Sequence, residues 1–127
     1  MKKLLSILAC LALVLTLASC VAGNAAAAQK KLEKKGYTVD VTTEVVNVAI
    51  KAANLLRDTD KQLPFCEEAI SASKKNEDGS YESVSAAWFK SAKDAKAYYE
   101  WLDSPKNYTL KGKVVYSGSE QGIKDFA

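Results

Sequence analysis

Hydrophobic positions along this chain change their spacing from segment to segment, and each spacing predicts an element. Residues 4–17 are apolar except for Ser6 and Thr16. Residues 21–29 are small and Ala-rich, and residues 25–35 are all good helix formers, with Gly36 placed to cap the helix C-terminus. Residues 37–42 alternate apolar and polar, which predicts a strand with Tyr37, Val39 and Val41 inward. Val45, Val48, Ala49, Ala52, Leu55 and Leu56 then recur at helical spacing, predicting a helix over 44–57 that buries this stripe, with Thr43 as its cap. The β-branched cluster Val45, Val46 and Val48 weakens its first turn.

Residues 57–64 are polar and end in Pro64, as a loop would. Two extended stretches, 65–74 and 81–90, flank Asn76-Glu77-Asp78-Gly79 and read as a hairpin. The second has no clean polar face at its far end, which suits a central strand. Ser91 and Asp94 fit a capping box for a helix whose stripe is Ala95, Tyr98, Tyr99 and Leu102, ending before Pro105. Residues 108–110 and 113–117 look extended on either side of Gly112, and Ser119 opens a last helical turn through Ile123 and Phe126. After the first helix the order is β-α-β-β-α-β. The expected fold is therefore α+β, a single small ferredoxin-like sandwich preceded by a tether helix. The expected domains are 1–19 as an export signal, 20–29 as a tether, and 30–127 as one domain, a length enough for one core.

The N-terminal run changes the picture of where that domain resides. Met1-Lys2-Lys3 is cationic, an apolar centre follows, and Leu17-Ala18-Ser19-Cys20 closes it with small residues. This segment resembles the type II signal peptide of bacterial lipoproteins, whose lipobox has an aliphatic residue, two small ones and a cysteine. The resemblance implies cleavage before Cys20, a diacylglyceryl group on its thiol, further acylation with palmitate-type chains, and residence on the extracytoplasmic face of a cell membrane, the outer one where an organism has it. Three other readings stay open: an uncleaved anchor helix over 4–22, cleavage by an ordinary signal peptidase within 25–28, or a buried helix of a cytosolic protein. The remainder resembles small uncharacterised lipoproteins.

Eighteen basic residues, less Lys2 and Lys3, leave sixteen against fifteen acidic ones, so the mature chain is nearly neutral and no nucleic-acid partner is expected. Cys10 would leave with the signal and Cys20 would carry lipid, which leaves Cys66 without a disulfide partner in the chain. Cys66 beside Phe65 reads as a small buried hydrophobe, with redox sensing as the alternative. Lys30, Lys31, Lys34 and Lys35 crowd the end of the first helix, where they complement its dipole or meet anionic headgroups.

The chain has no histidine, no CxxC pair, no glycine-rich phosphate loop and no GxSxG elbow. Asp58-Thr59-Asp60 opens like a calcium loop but lacks the glycine and terminal glutamate that complete one. Glu67 and Glu68 are neighbours in a predicted strand and point to opposite faces. No enzyme activity, metal or cofactor is expected.

The expected function is non-catalytic binding, with an envelope protein or cell-wall glycan as partner. Trp101, one step off the helix stripe, is the candidate ligand contact. The segment 81–102, an aromatic-rich strand ending Trp-Phe-Lys-Ser and then an Ala-rich helix, resembles the second half of the SPOR peptidoglycan-binding domain without its glycine-rich strand ends. An envelope hydrolase, using carboxylates alone, is the remaining alternative. Replacing Cys20 with Ser is expected to abolish metabolic labelling by palmitate; labelling that survives the change would refute acylation at this residue.

Overall fold

The computed structural model describes residues 21–103 and 105–127, so the expected signal 1–19 and Cys20 lie outside the described residues. The elements are α1 (Ala25–Lys34), β1 (Thr38–Val41), α2 (Thr43–Asn54), β2 (Glu68–Lys75), β3 (Tyr81–Trp88), α3 (Ala92–Trp101), β4 (Thr109–Lys111), β5 (Val114–Gly118) and α4 (Glu120–Phe126). Short 3₁₀ turns occupy Thr59–Lys61 and Pro105–Asn107.

Local chemistry explains most boundaries. Asn24 caps α1 by accepting from the Ala27 amide, and Gly36 closes it at φ 94°, a conformation that costs a glycine little. Ser91 accepts from the Asp94 amide at 3.1 Å to start α3, and Ser119 accepts from Gly122 to start α4. The hairpin between β2 and β3 turns at Gly79, with φ 90°, while the Asp78 carboxylate accepts from the Ser80 amide and hydroxyl.

The fold is α+β, with a five-stranded sheet in the order β1-β2-β3-β5-β4 and every neighbouring pair antiparallel. The ferredoxin-like arrangement expected from element order is not the one formed. It would separate β1 from β2 by a strand and run the two parallel, whereas β1 here pairs directly with β2, antiparallel, with Val41 opposite Ile70. The Thr42 amide extends that ladder by donating to the Ala69 carbonyl at 2.8 Å. The chain thus leaves β1, passes through α2, and returns alongside it. β3 is central, as the lack of a clean polar face at its far end suggested.

Both faces of the sheet carry a core. On one, α1 and α4 pack Ala28, Leu32 and Phe126 against Ile70, Val84, Trp88 and Tyr116. On the other, α2 and α3 bring Ile50 and Ala95 against Ala69, Ala87, Phe89 and Val115, with Leu63 and Cys66 completing the cluster. Residues 25–29, expected in the tether, belong to the folded body, because Ala25 and Ala28 are buried. Val21 and Ala22 also pack on the first core, and the Trp88 indole donates to the Ala22 carbonyl at 2.7 Å.

The tightest approach is at Ser83. A Cβ at Gly118 or Gly122 would collide with its carbonyl oxygen, so α4 sits against β3 only because both positions lack one. Gly122→Ala is expected to cost about 1–3 kcal/mol of stability, measured by denaturant unfolding. Gly23→Ala, where a Cβ meets nothing within 4 Å, serves as the neutral control.

Candidate interaction surface

The outer side of α2 is where this structure departs most from ordinary burial. Only Ile50 of this helix is fully buried, with Val46 and Ala53 beside it. The stripe expected to face inward instead faces solvent. Val45 is 70% exposed, Val48 66%, Leu55 80% and Leu56 93%, and Ala49 and Ala52 are exposed with them. Val41 and Phe65 are exposed as well. The expected burial of Val45, Val48, Ala49, Ala52, Leu55 and Leu56 is therefore corrected, and so is the inward setting of Val41.

The cause is a pair of asparagines. Asn47 accepts from the Cys66 amide at 2.9 Å and donates to its carbonyl at 3.0 Å. Asn54 does the same for Leu63, at 2.7 and 3.0 Å. The two are seven residues apart, roughly 10 Å along a helix axis, and Leu63 and Cys66 are about as far apart in an extended chain. The amides act as a strand neighbour for a backbone segment that lies before β2. Satisfying those groups turns Asn47 and Asn54 inward and the aliphatic stripe outward.

Beside α2 lies a groove of about 230 Å³ with Val45 and Val46 on one wall and Tyr98 and Tyr108 among its lining. Its floor includes a row of hydroxyls set by register, Ser71 opposite Ser85 and Ser85 opposite Ser117. The Ser85 and Ser71 hydroxyls are 3.4 Å apart. Trp101 is half-buried, 5.8 Å from the Tyr98 ring, and lines a separate hollow with Arg57, Gln62 and Glu100. Tyr81, on the far hairpin, is the more exposed aromatic at 64%.

The first-helix lysines divide. Lys31 donates to the Phe126 and Ala127 carbonyls at 3.1 and 2.9 Å, and Lys35 pairs with Asp125 at 3.7 Å, so both hold the C-terminal helix. Lys30 and Lys34 are exposed. The cavity nearest residue 21, about 360 Å³, is lined by Val21, Trp88, Val114, Lys111 and Lys113.

Asp125 is the one buried carboxylate among the described residues. Burial works against its charge, but the Tyr37 hydroxyl at 2.6 Å, Gln121, and the charges of Lys35 and Lys74 prevail and hold it below the usual carboxylate range. Burial and this bond to Asp125 push the Tyr37 phenol up. All its partners lie within the fold, so the group is a structural tie between α4 and the start of β1. Glu68 likewise serves structure, accepting from the Ala25 amide at 2.8 Å.

Among the described residues no helix is long and apolar enough to cross a membrane, and no three His, Cys, Asp or Glu side chains gather as metal ligands. Comparison with protein-family models, curated proteins and solved structures finds no match.

Cys66 is 5% exposed, and burial pushes its thiol up to about 11. Since the thiolate is the reactive form, alkylation at neutral pH is expected to run at least tenfold slower in the native protein than in denaturant. The shift also has a stability sign. The neutral thiol's contribution is full below the unfolded value near 9 and fades as pH rises toward 11. Rapid native labelling at neutral pH would overturn this assignment.

Proposed function

We propose that the mature protein is a non-catalytic binding module, held by lipid on Cys20 at the extracytoplasmic face of a cell membrane, whose outer α2 face docks a protein partner. The exposed stripe Val45, Val48, Ala52 and Leu55 carries this reading. A contiguous aliphatic surface flanked by polar residues is the usual mark of a protein-binding site, and an apolar helix face is one of the recurring forms of recognition. The lipid anchor rests on the lipobox Leu17-Ala18-Ser19-Cys20.

Lys111 and Lys113 line the cavity beside Val21, so positive charge stands close to the proposed attachment point. Each such lysine near an anionic surface contributes about 1 kcal/mol. They are better placed for headgroups than Lys34 and Lys35, which lie at the end of α1 away from the anchor. Lys30, exposed and about a turn nearer the anchor than Lys34, retains a part in the same contact.

A glycan reading draws on the groove over Ser71, Ser85 and Ser117, where Tyr98 and Tyr108 add aromatic surface to a hydroxyl floor. Its small volume favours at most a single sugar ring. The two readings separate by mutation. Val48→Glu and Leu55→Glu are expected to remove cross-linking of the membrane-bound protein to its partner by at least tenfold and leave retention on purified cell wall unchanged. Loss of cell-wall retention on Tyr108→Ala, with cross-linking intact, would replace the docking reading with the glycan one.

A further inference from the structure

The loop between α2 and β2 is held in shape although residues 55–62 are all exposed. The Gln62 amide donates to the carbonyls of Asn54, Arg57 and Asp58 at 3.0–3.2 Å, and Arg57 Nε donates to the Lys61 carbonyl at 2.6 Å. These bonds satisfy the C-terminal end of α2 and fold the loop back on itself. They fix side chains that the core does not hold, at the edge of a hollow of about 540 Å³ whose other wall is α3.

Arg57 and Lys61 stand on the loop side of this hollow. With Nε bound to Lys61, the guanidinium keeps its two terminal nitrogens as a pair of parallel donors, a geometry that takes both oxygens of a carboxylate. Among the described residues no carboxylate pairs with Arg57 or Lys61, although Asp58 and Asp60 are their neighbours in the chain. On the other side Trp101 and Ala97 are one turn apart on α3. A helical side chain leans over the turn before it, so the small Ala97 leaves the indole uncovered there, while Tyr98 packs on it at 5.8 Å. The Trp101 N–H has no protein partner among the described residues, unlike that of Trp88. Glu100 completes the rim, its carboxylate 3.9 Å from the Lys96 amine.

We propose that this hollow binds a carboxylated sugar, a uronic-acid unit of an acidic glycan, with its carboxylate on Arg57 and Lys61 and the apolar face of its ring on Trp101. The site goes beyond the docking reading above and stands without it, since it uses neither the aliphatic stripe of α2 nor the lipid. Two positive charges face a single negative one, so the hollow takes an anion. Glu100 disfavours a phosphate dianion and accepts hydrogen bonds from hydroxyls. An indole face bordered by charged groups matches a ring that is apolar on its faces and polar around its edge. The volume lies within the ~300–1,000 Å³ of small-ligand sites, and it is more than twice that of the serine-floored groove.

The test is calorimetric titration of the full mature lipoprotein, in detergent micelles, with digalacturonate, its neutral dimethyl ester, and dialanine as a peptide carboxylate. Digalacturonate should bind saturably, roughly tenfold tighter than either of the others, and more weakly as salt is raised. Arg57→Gln should weaken it roughly tenfold by removing charge-assisted bonds. Ala97→Met should abolish it by filling the hollow beside Trp101, and methionine is a good helix former, so the fold is kept. Circular dichroism checks this for both variants. Val48→Glu should leave the titration unchanged, so loss of cross-linking reports on the docking surface and loss of titration on this site. Equal binding of the ester would overturn the carboxylate contact, and tighter binding of dialanine would overturn the sugar assignment in favour of a peptide. Binding that survives both Arg57→Gln and Ala97→Met, or no binding of digalacturonate at all, would refute the site.

Discussion

The setting of α2 depends on two side-chain amides. Backbone groups of Leu63 and Cys66 lie half-buried before β2 begins, where no strand runs beside them, and leaving them unpaired would cost about 1–3 kcal/mol apiece. Asn47 and Asn54 meet that demand with both halves of each amide. Once they face inward, the rotation of the helix is fixed, and only Val46, Ile50 and Ala53 can join the core with them. The exposed stripe is thus a consequence of hydrogen bonding inside the protein. It is not a failure of packing, because the same contacts hold Leu63 and Cys66 in the core.

This is also where reading the chain by its apolar period goes astray. A helix with Val45, Val48, Ala52 and Leu55 on one side and asparagines on the other predicts burial of the aliphatic side. The period was right and its direction inverted, because an asparagine's value in the interior depends on what backbone lies opposite, and that partner is twelve or more residues distant from α2's centre. Local signals fared better. Gly36, Ser91, Ser119 and the Asp78-Gly79 turn act through bonds within a few residues, so the chain's own order reveals them.

Topology sits between these cases. The element order β-α-β-β-α-β was legible, but it is compatible with a parallel crossover or with a return alongside the first strand. The choice turns on long-range features: α1 and α4 cover the face that a ferredoxin-like sheet leaves open, and Thr42 extends the β1–β2 ladder. Trp88 shows the same division. Its burial follows from its place in a central strand, but its bond to Ala22 joins residues far apart in the chain. Trp101, the candidate ligand contact, is half-buried, and the exposed α2 stripe was hidden by the inverted period.

Were the chain anchored through Cys20, the bond from Trp88 to Ala22 would limit how freely the body could turn. A lipidated Cys20 would stand one Cα step of 3.8 Å from Val21, which already packs on the first core. Such a leash has almost no slack. A domain on a long flexible stalk tumbles and offers every side in turn, but this one would spin about the membrane normal at a nearly constant tilt and height. Its encounters become a search in a plane, with one angle left to find. Any binding surface on it is then met at a fixed latitude, by molecules whose own matching surface stands at the same distance from the bilayer.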